Sequence, residues 1–154
     1  ALEYCPRDNP ESWANWARAL YWAAGKRPAS VEKFQTAIDL TWEQWDQSPQ
    51  DPSLLGNLIE YHAMIGDRKT TLQLIAKGDS LKSDHGELLY QIGDAYELIG
   101  DRVSAIRYLA RAMRHGIPVE RIQGTRELAE LVTDPLFARM ISAKSGTQEL
   151  QAEN

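Results

Sequence analysis

Ile65-Gly66-Asp67-Arg68 recurs letter for letter as Ile99-Gly100-Asp101-Arg102, 34 residues further along the chain. The apolar residues around the two copies also correspond, so that Leu58 aligns with Ile92 at the same offset. A recurrence of this length is typical of a helix-turn-helix unit that stacks on copies of itself. The sequence therefore predicts an all-α fold built from repeated helix pairs.

Proline and glycine mark the expected ends of these helices. Pro10 and Pro52 each follow an Asn or Asp residue, and Gly66 and Gly100 lie at turns inside two of the pairs. Proline is tolerated in a first helical turn, and glycine permits the left-handed conformation that ends many helices. The predicted helices cover about 10–25, 28–48, 53–65, 69–81, 87–99 and 103–115.

The last part of the chain is predicted to be helical but less regular. A short helical turn begins at Pro118, a helix lies near 126–132, and a further helix begins at Pro135. Residues 145–154 lack apolar periodicity, so we expect them to form a frayed tail.

The composition is that of a folded, water-soluble protein. Of 154 residues, 43% are hydrophobic and 25% are charged, and no run of 18 apolar residues is present to span a membrane. The net charge of −5 disfavours DNA or RNA as a partner, because phosphates attract basic surfaces. The single cysteine, Cys5, excludes an internal disulfide and fits a reducing compartment. We therefore expect a cytoplasmic protein that binds neither nucleic acid nor membranes.

The beginning of the chain lacks two features of a complete reading frame. Ala1 is not an initiator methionine, and the residues after it do not form a signal-peptide pattern. We therefore expect the chain to be cut from a larger protein whose own N-terminus is missing.

The repeated segments resemble tetratricopeptide repeats (TPRs), whose 34-residue units place large and small residues at fixed positions. Segments 10–51, 52–85 and 86–119 align as three such repeats, and the third fits best. Its matching residues are Leu89, Ile92, Gly93, Tyr96, Gly100, Ala105, Leu109 and Ala112. The resemblance implies a right-handed superhelix of three helix pairs within a TPR domain at 1–144, closed by a helical cap at 120–144.

A second resemblance concerns the residues that follow the repeats. Leu128, Leu131 and the run Asp134-Pro135-Leu136-Phe137 resemble the ends of helical arrays in bacterial multidomain kinases, adenylate cyclases and transcriptional regulators. The resemblance implies a bacterial protein. It also implies that Phe137, together with Met140 and Ile141, covers the last helix pair.

Peptide ligands of the TPR family lie in a concave groove lined by the first helix of each pair. Carrying those positions over gives the candidate groove residues Arg18, Tyr21, Trp22, Glu60, Met64, Glu87, Tyr90, Asp94 and Glu97. The implied groove combines carboxylates with aromatic rings, which suits a basic or amphipathic peptide or a basic part of a neighbouring domain. The alternative is an ordinary solvated helix face.

All five tryptophans lie within the first 45 residues. Trp13 and Trp16 fit core positions of the first repeat, whereas Trp42 and Trp45 lie on a helix extension outside the TPR pattern. Packing within the chain is the favoured explanation of that second pair. Contact with a preceding repeat and a homodimer interface are the alternatives, since a large exposed apolar patch needs a partner.

No pattern of catalytic, cofactor-binding or metal-binding residues is recognisable. His62 and His115 are isolated, and Asp84-His85 is an adjacent pair in a predicted turn without an orienting pocket. We expect no cofactor, no metal ion and no enzymatic activity. The sequence thus favours a non-catalytic scaffold for protein–protein interaction. The alternative is a regulatory or sensory arm of a multidomain kinase, adenylate cyclase or transcriptional regulator.

Overall fold

The computed structural model describes residues 8–81 and 84–152, and their side chains as far as residue 143. All regular structure in these residues is helical, which confirms the predicted all-α class. The α-helices are α1 (Pro10–Trp22), α2 (Arg27–Gln47), α3 (Pro52–Met64), α4 (Arg68–Ser80), α5 (Gly86–Leu98), α6 (Arg102–Arg114), α7 (Val119–Gln123) and α8 (Pro135–Ala152). None of the described helices is long and apolar enough to cross a membrane.

The chain divides into two compact units, Ala1–Ser83 and Asp84–Asn154. The first unit contains α1 to α4, and the second contains α5 to α8. The sequence predicts one domain over 1–144 and does not reveal this division. The reason is that the segment between α4 and α5 has neither a proline nor a long linker to mark a boundary.

The repeated tetrapeptide ends one helix in each unit. Its glycine has a positive φ, +80° in the first copy and +84° in the second. The Asp67 N–H donates to the His62 carbonyl at 2.9 Å, and the Asp101 N–H donates to the Tyr96 carbonyl at 2.8 Å. These bonds reach back over the last helical turn, which is the pattern of a glycine-terminated helix.

The aspartate of each copy also begins the following helix. A carboxylate oxygen of Asp67 accepts the Thr70 N–H at 3.1 Å, and one of Asp101 accepts the Ser104 N–H at 3.1 Å. Both side chains therefore satisfy donors that a helix start leaves unpaired. One short sequence thus fixes the same turn between α3 and α4 and between α5 and α6.

A single position on the first helix of each pair sets how closely the second helix approaches. A Cβ atom on Gly93 would lie 2.7 Å from Leu109 Cγ and 3.2 Å from the carbonyl oxygen of Ala105, so α5 and α6 are in close contact. Ala17 is the aligned residue in α1, and it is fully buried. The aligned residue in α3 is Ile59, also fully buried, and α3 contacts α4 less extensively.

The C-terminal segment packs its apolar residues within the second unit. Phe137 is only 1% exposed, as predicted, and Leu128 and Leu131 are fully buried. Met140 and Ile141 are half-buried. Phe137 lies in α8, which contacts α6 and the turn around Leu131.

Two details of this segment differ from the prediction. The helix predicted near 126–132 is instead a pair of 3-10 turns, Arg126–Leu128 and Leu131–Thr133, a tighter helix that proteins use in short pieces. The backbone also remains helical to Ala152, where a frayed tail was predicted from residue 145. Glutamine, glutamate, leucine and alanine in that stretch all favour helix.

Candidate interaction surface

Two of the predicted groove residues in the first unit bind each other. Nε of Arg18 on α1 donates to a carboxylate oxygen of Glu60 on α3 at 3.0 Å, and a terminal guanidinium nitrogen donates to the same oxygen. The guanidinium carbon lies 5.9 Å from the ring centroid of Tyr61. Burial, with the neighbouring Glu60 carboxylate as the next cause, raises the pKa of the Tyr61 hydroxyl. The Arg18 guanidinium therefore balances the negative charge of Glu60 within the chain.

Tyr21 and Trp22 form an aromatic cluster at the end of α1. Their rings meet edge to face with centroids 5.1 Å apart, and the Arg27 guanidinium carbon lies 4.0 Å from the Tyr21 centroid. Trp22 is 37% exposed, so it is accessible to a partner. Met64 is only 5% exposed, which corrects its placement in the groove, because its apolar side chain packs into the core of the unit.

In the second unit, the chain itself covers the predicted groove residues Glu87 and Tyr90. Both terminal nitrogens of Arg121 on α7 donate to Glu87, one to each carboxylate oxygen, at 2.5 Å. The Arg121 guanidinium carbon also lies 4.4 Å from the Tyr90 ring centroid. The Tyr90 hydroxyl contacts Thr125 Oγ1 at 2.6 Å and the side chain is buried. The Glu87 carboxylate raises the pKa of Arg121.

Asp94 and Glu97 are less accessible than the sequence predicts. Asp94 is 5% exposed, and the Glu97 side chain is 10% exposed. Arg102 forms an ion pair with Glu97 and a longer one, at 3.4 Å, with Glu130. The expectation of an open acidic face is therefore wrong at Asp94, because neighbouring elements cover that side of α5.

The tryptophans of α2 pack within the first unit. Trp45 is 6% exposed, and Lys77 of α4 places its ammonium nitrogen 5.0 Å from a Trp45 ring centroid. Trp42 is half-buried and meets Trp45 edge to face, with centroids 6.4 Å apart. Packing within the chain is thus confirmed for Trp45. A homodimer contact through Trp42 stays a prediction.

Trp13 and Trp16 are half-buried, although the sequence assigns them to the core. Their rings stack with centroids 5.5 Å apart, and the Lys33 ammonium lies 4.8 Å from Trp16 and 5.5 Å from Trp13. Lysine methylenes commonly cover apolar surface while the charged end remains near water. Trp13 and Trp16 therefore lie at the surface of α1, beside Lys33 of α2.

The histidines do not converge on one site. His85 accepts the Leu88 N–H at 3.4 Å as the cap of α5, whereas Asp84 approaches His115 at 3.7 Å. Among the side chains that the structure describes, in 8–81 and 84–143, no group of three or more His, Cys, Asp or Glu residues is placed to hold a metal ion.

His62 is the buried histidine, at the turn between α3 and α4. Its Nδ1 lies 3.1 Å from a carboxylate oxygen of Asp67, while Nε2 is buried without a hydrogen-bond partner in the described structure. Burial lowers the pKa of His62, and the Asp67 charge only partly opposes that effect. The folded chain therefore disfavours the doubly protonated ring.

This burial predicts that acid weakens the first unit. The unfolded state binds a proton at His62 more readily than the folded state does. The contribution of neutral His62 to the free energy of unfolding is therefore fully present above the ordinary histidine pKa of about 6.5, and it is lost as the pH falls through the lower pKa of the folded state. We expect the melting temperature to decrease between about pH 7 and pH 5, and to decrease less in His62→Gln. Hydrogen bonds from Thr70 lower the pKa of Asp67, so protonation of Asp67 reduces stability only at a more acidic pH.

His115→Gln is the matched control, because it makes the same chemical change at an exposed histidine. Its melting temperature should follow that of the unaltered chain across this pH range. Parallel curves for His62→Gln and the unaltered chain would contradict the assignment of the acid sensitivity to His62.

Arg121 and Thr125, which contact Glu87 and Tyr90, were not predicted as site residues from the sequence. Arg121 follows Glu87 by 34 residues, the same period as the repeated turn. Two residues of opposite charge that lie one repeat apart can form an ion pair between neighbouring repeats, and a sequence shows that spacing. The offset of one period between Glu87 and Arg121 was visible in the sequence, but the contact of the Arg121 side chain with Glu87 and Tyr90 was not.

Comparison with known proteins provides no family for the chain, since neither a family model, nor a curated protein, nor a solved structure matches it.

Proposed function

We propose that the chain is a non-catalytic interaction domain of the TPR type from a bacterial, cytoplasmic protein. The single observation that carries this proposal is the repeated turn. The same four residues end one helix with a positive-φ glycine and begin the next with an aspartate cap, once in each unit. The proposal includes the right-handed superhelix that TPR stacking implies.

We propose one accessible binding surface in each unit. In the first unit it centres on Tyr21 and the exposed Trp22, and in the second it centres on Glu87, whose side chain is 35% exposed. An exposed aromatic ring and a carboxylate suit a basic or amphipathic peptide, or a basic segment of a neighbouring domain. The net charge of −5 favours such a partner at longer range.

A regulatory or sensory arm is the second candidate function. The burial of Phe137 supports it, because this residue belongs to the segment that resembles array ends in bacterial kinases, adenylate cyclases and transcriptional regulators. In that case the partner would be another domain of the same protein. Trp22 in the first unit and Glu87 in the second would then each contact that domain.

A peptide-array pull-down tests the proposed surface. We expect the unaltered chain to retain basic peptides, and both Trp22→Ala and Glu87→Gln to retain fewer of them. Retention should also weaken as salt rises, because exposed attractions are screened beyond about 8 Å at physiological ionic strength.

Two matched variants control for the general effects of these changes. Leu72→Ala removes a side chain that is also 37% exposed, on α4, and Glu120→Gln removes the same charge as Glu87→Gln from an exposed position on α7. Both should retain the same peptides as the unaltered chain. Equal recovery by all five proteins would show that recognition does not occur at Trp22 or Glu87.

A further inference from the structure

Arg121 contacts Glu87 and Tyr90 in the way that a bound arginine ligand would. Its two terminal nitrogens donate in parallel to the two oxygens of the Glu87 carboxylate. Its guanidinium also stacks against the Tyr90 ring, with 4.4 Å from the guanidinium carbon to the centroid. A planar, forked cation held by a carboxylate and an aromatic face is a contact for arginine, because lysine lacks both the fork and the flat surface.

Tyr90 is held ready for this contact by a residue outside the ion pair. Its hydroxyl contacts Thr125 Oγ1 at 2.6 Å, and Thr125 Oγ1 in turn donates to the Arg121 carbonyl oxygen at 2.8 Å. The ring orientation is therefore fixed without the Arg121 guanidinium. A fixed ring and carboxylate form a site that persists when the guanidinium leaves it.

Exchange of the Arg121 side chain requires no movement of α7. Ile122, the next residue, is fully buried and fixes the helix in place. The Arg121 side chain is 43% exposed and that of Glu87 is 35% exposed, so solvent and a partner both reach the pair. Exposed ion pairs and exposed cation–π contacts each stabilise weakly, so a competing arginine is able to displace this one.

We propose that Glu87 and Tyr90 form an arginine-binding site, and that Arg121 occupies it from within the chain in competition with an arginine of the partner. This inference rests on the proposed interaction function and names the residue class that the second unit recognises. The chain thus limits its own affinity for basic segments. A partner with a single arginine competes poorly, whereas a segment with several arginines competes well because its local concentration at the site is higher.

Binding of a fluorescein-labelled hexa-arginine peptide to the full 154-residue chain, followed by fluorescence anisotropy, tests this inference. We expect Arg121→Gln to bind the peptide about tenfold more tightly than the unaltered chain, since the competing contact is lost. Adding Glu87→Gln to that variant should abolish the gain. Hexa-lysine should show little gain, because it does not reproduce the bidentate and stacked contacts.

Arg114→Gln is the matched control, since it removes the same charge from an exposed arginine on α6. Equal affinities of Arg121→Gln and Arg114→Gln would overturn the inference, and so would an equal gain for hexa-lysine. Absence of hexa-arginine binding to every variant would also overturn it. The proposed interaction function would then still be judged separately, by the Trp22 and Leu72 variants on the peptide array.

A melting curve establishes whether Arg121→Gln is folded. Should it unfold, Arg121→Lys supplies the measurement, because it keeps the charge and loses the fork. We expect a smaller gain in hexa-arginine affinity for this variant than for Arg121→Gln. An affinity equal to that of the unaltered chain would again overturn the inference.

Discussion

Gly93→Leu is expected to destabilise the second unit by about 3 kcal/mol or more. A Cβ atom at this position would already lie 2.7 Å from Leu109 Cγ and 2.9 Å from Leu109 Cδ2, and the carbonyl oxygen of Ala105 lies 3.2 Å away. A leucine adds three further carbons to that contact. The gain in helix propensity from replacing glycine, about 1 kcal/mol, does not offset the overlap.

Urea unfolding followed by circular dichroism measures this effect. The urea midpoint of Gly93→Ala should lie between those of the original chain and Gly93→Leu, because one methyl group meets only the Leu109 side chain and the Ala105 carbonyl oxygen. The matched control is Ala138→Leu, which places a leucine on an exposed position of α8 in the same unit. A midpoint for Gly93→Leu equal to that of Ala138→Leu would contradict the close packing of α5 on α6.

Phe137→Ala is expected to cost about 3–5 kcal/mol, the usual range for removing a buried aromatic side chain. The Phe137 ring is 1% exposed and belongs to α8, which packs on α6. Its removal leaves a cavity that the surrounding side chains of α6 and of the turn at Leu131–Thr133 fill only in part. The last helix should therefore detach at a lower urea concentration than in the original chain.

Two variants calibrate that measurement. Phe137→Leu retains most of the apolar volume and should be milder than Phe137→Ala. Leu136→Ala truncates the half-buried neighbouring residue and should also be milder. If Phe137→Ala unfolds at the same midpoint as Leu136→Ala, Phe137 does not hold α8 against the unit.

The sequence was sufficient for the six helices α1 to α6, because their signals are local. The turns at Gly66 and Gly100 depend on residues within one helical turn, and both have the positive φ that the glycines predicted. Burial of Phe137 was also expected, because the resemblance of Asp134-Pro135-Leu136-Phe137 to the ends of helical arrays implies it, and Phe137 is 1% exposed.

The surface was less predictable, because a helix position does not reveal what covers it. Asp94 and Met64 occupy helix faces that the TPR resemblance assigns to a groove, yet both are buried by surrounding elements. Glu87 and Tyr90 were correctly placed on one face of α5, but their contacts come from Arg121 and Thr125 beyond the predicted repeats. Such contacts depend on the path of the C-terminal segment, which periodicity does not determine.

Asp67 and Asp101 each help to end one helix and to begin the next, and this affects the order in which the chain folds. The hydrogen bonds that end and begin the helices join each aspartate to residues at most five positions away. The entropy lost in closing so short a loop is small, and chains rich in short-range contacts reach their native state quickly. We therefore expect the α3–α4 and α5–α6 hairpins to form early in folding, before contacts between residues distant in sequence.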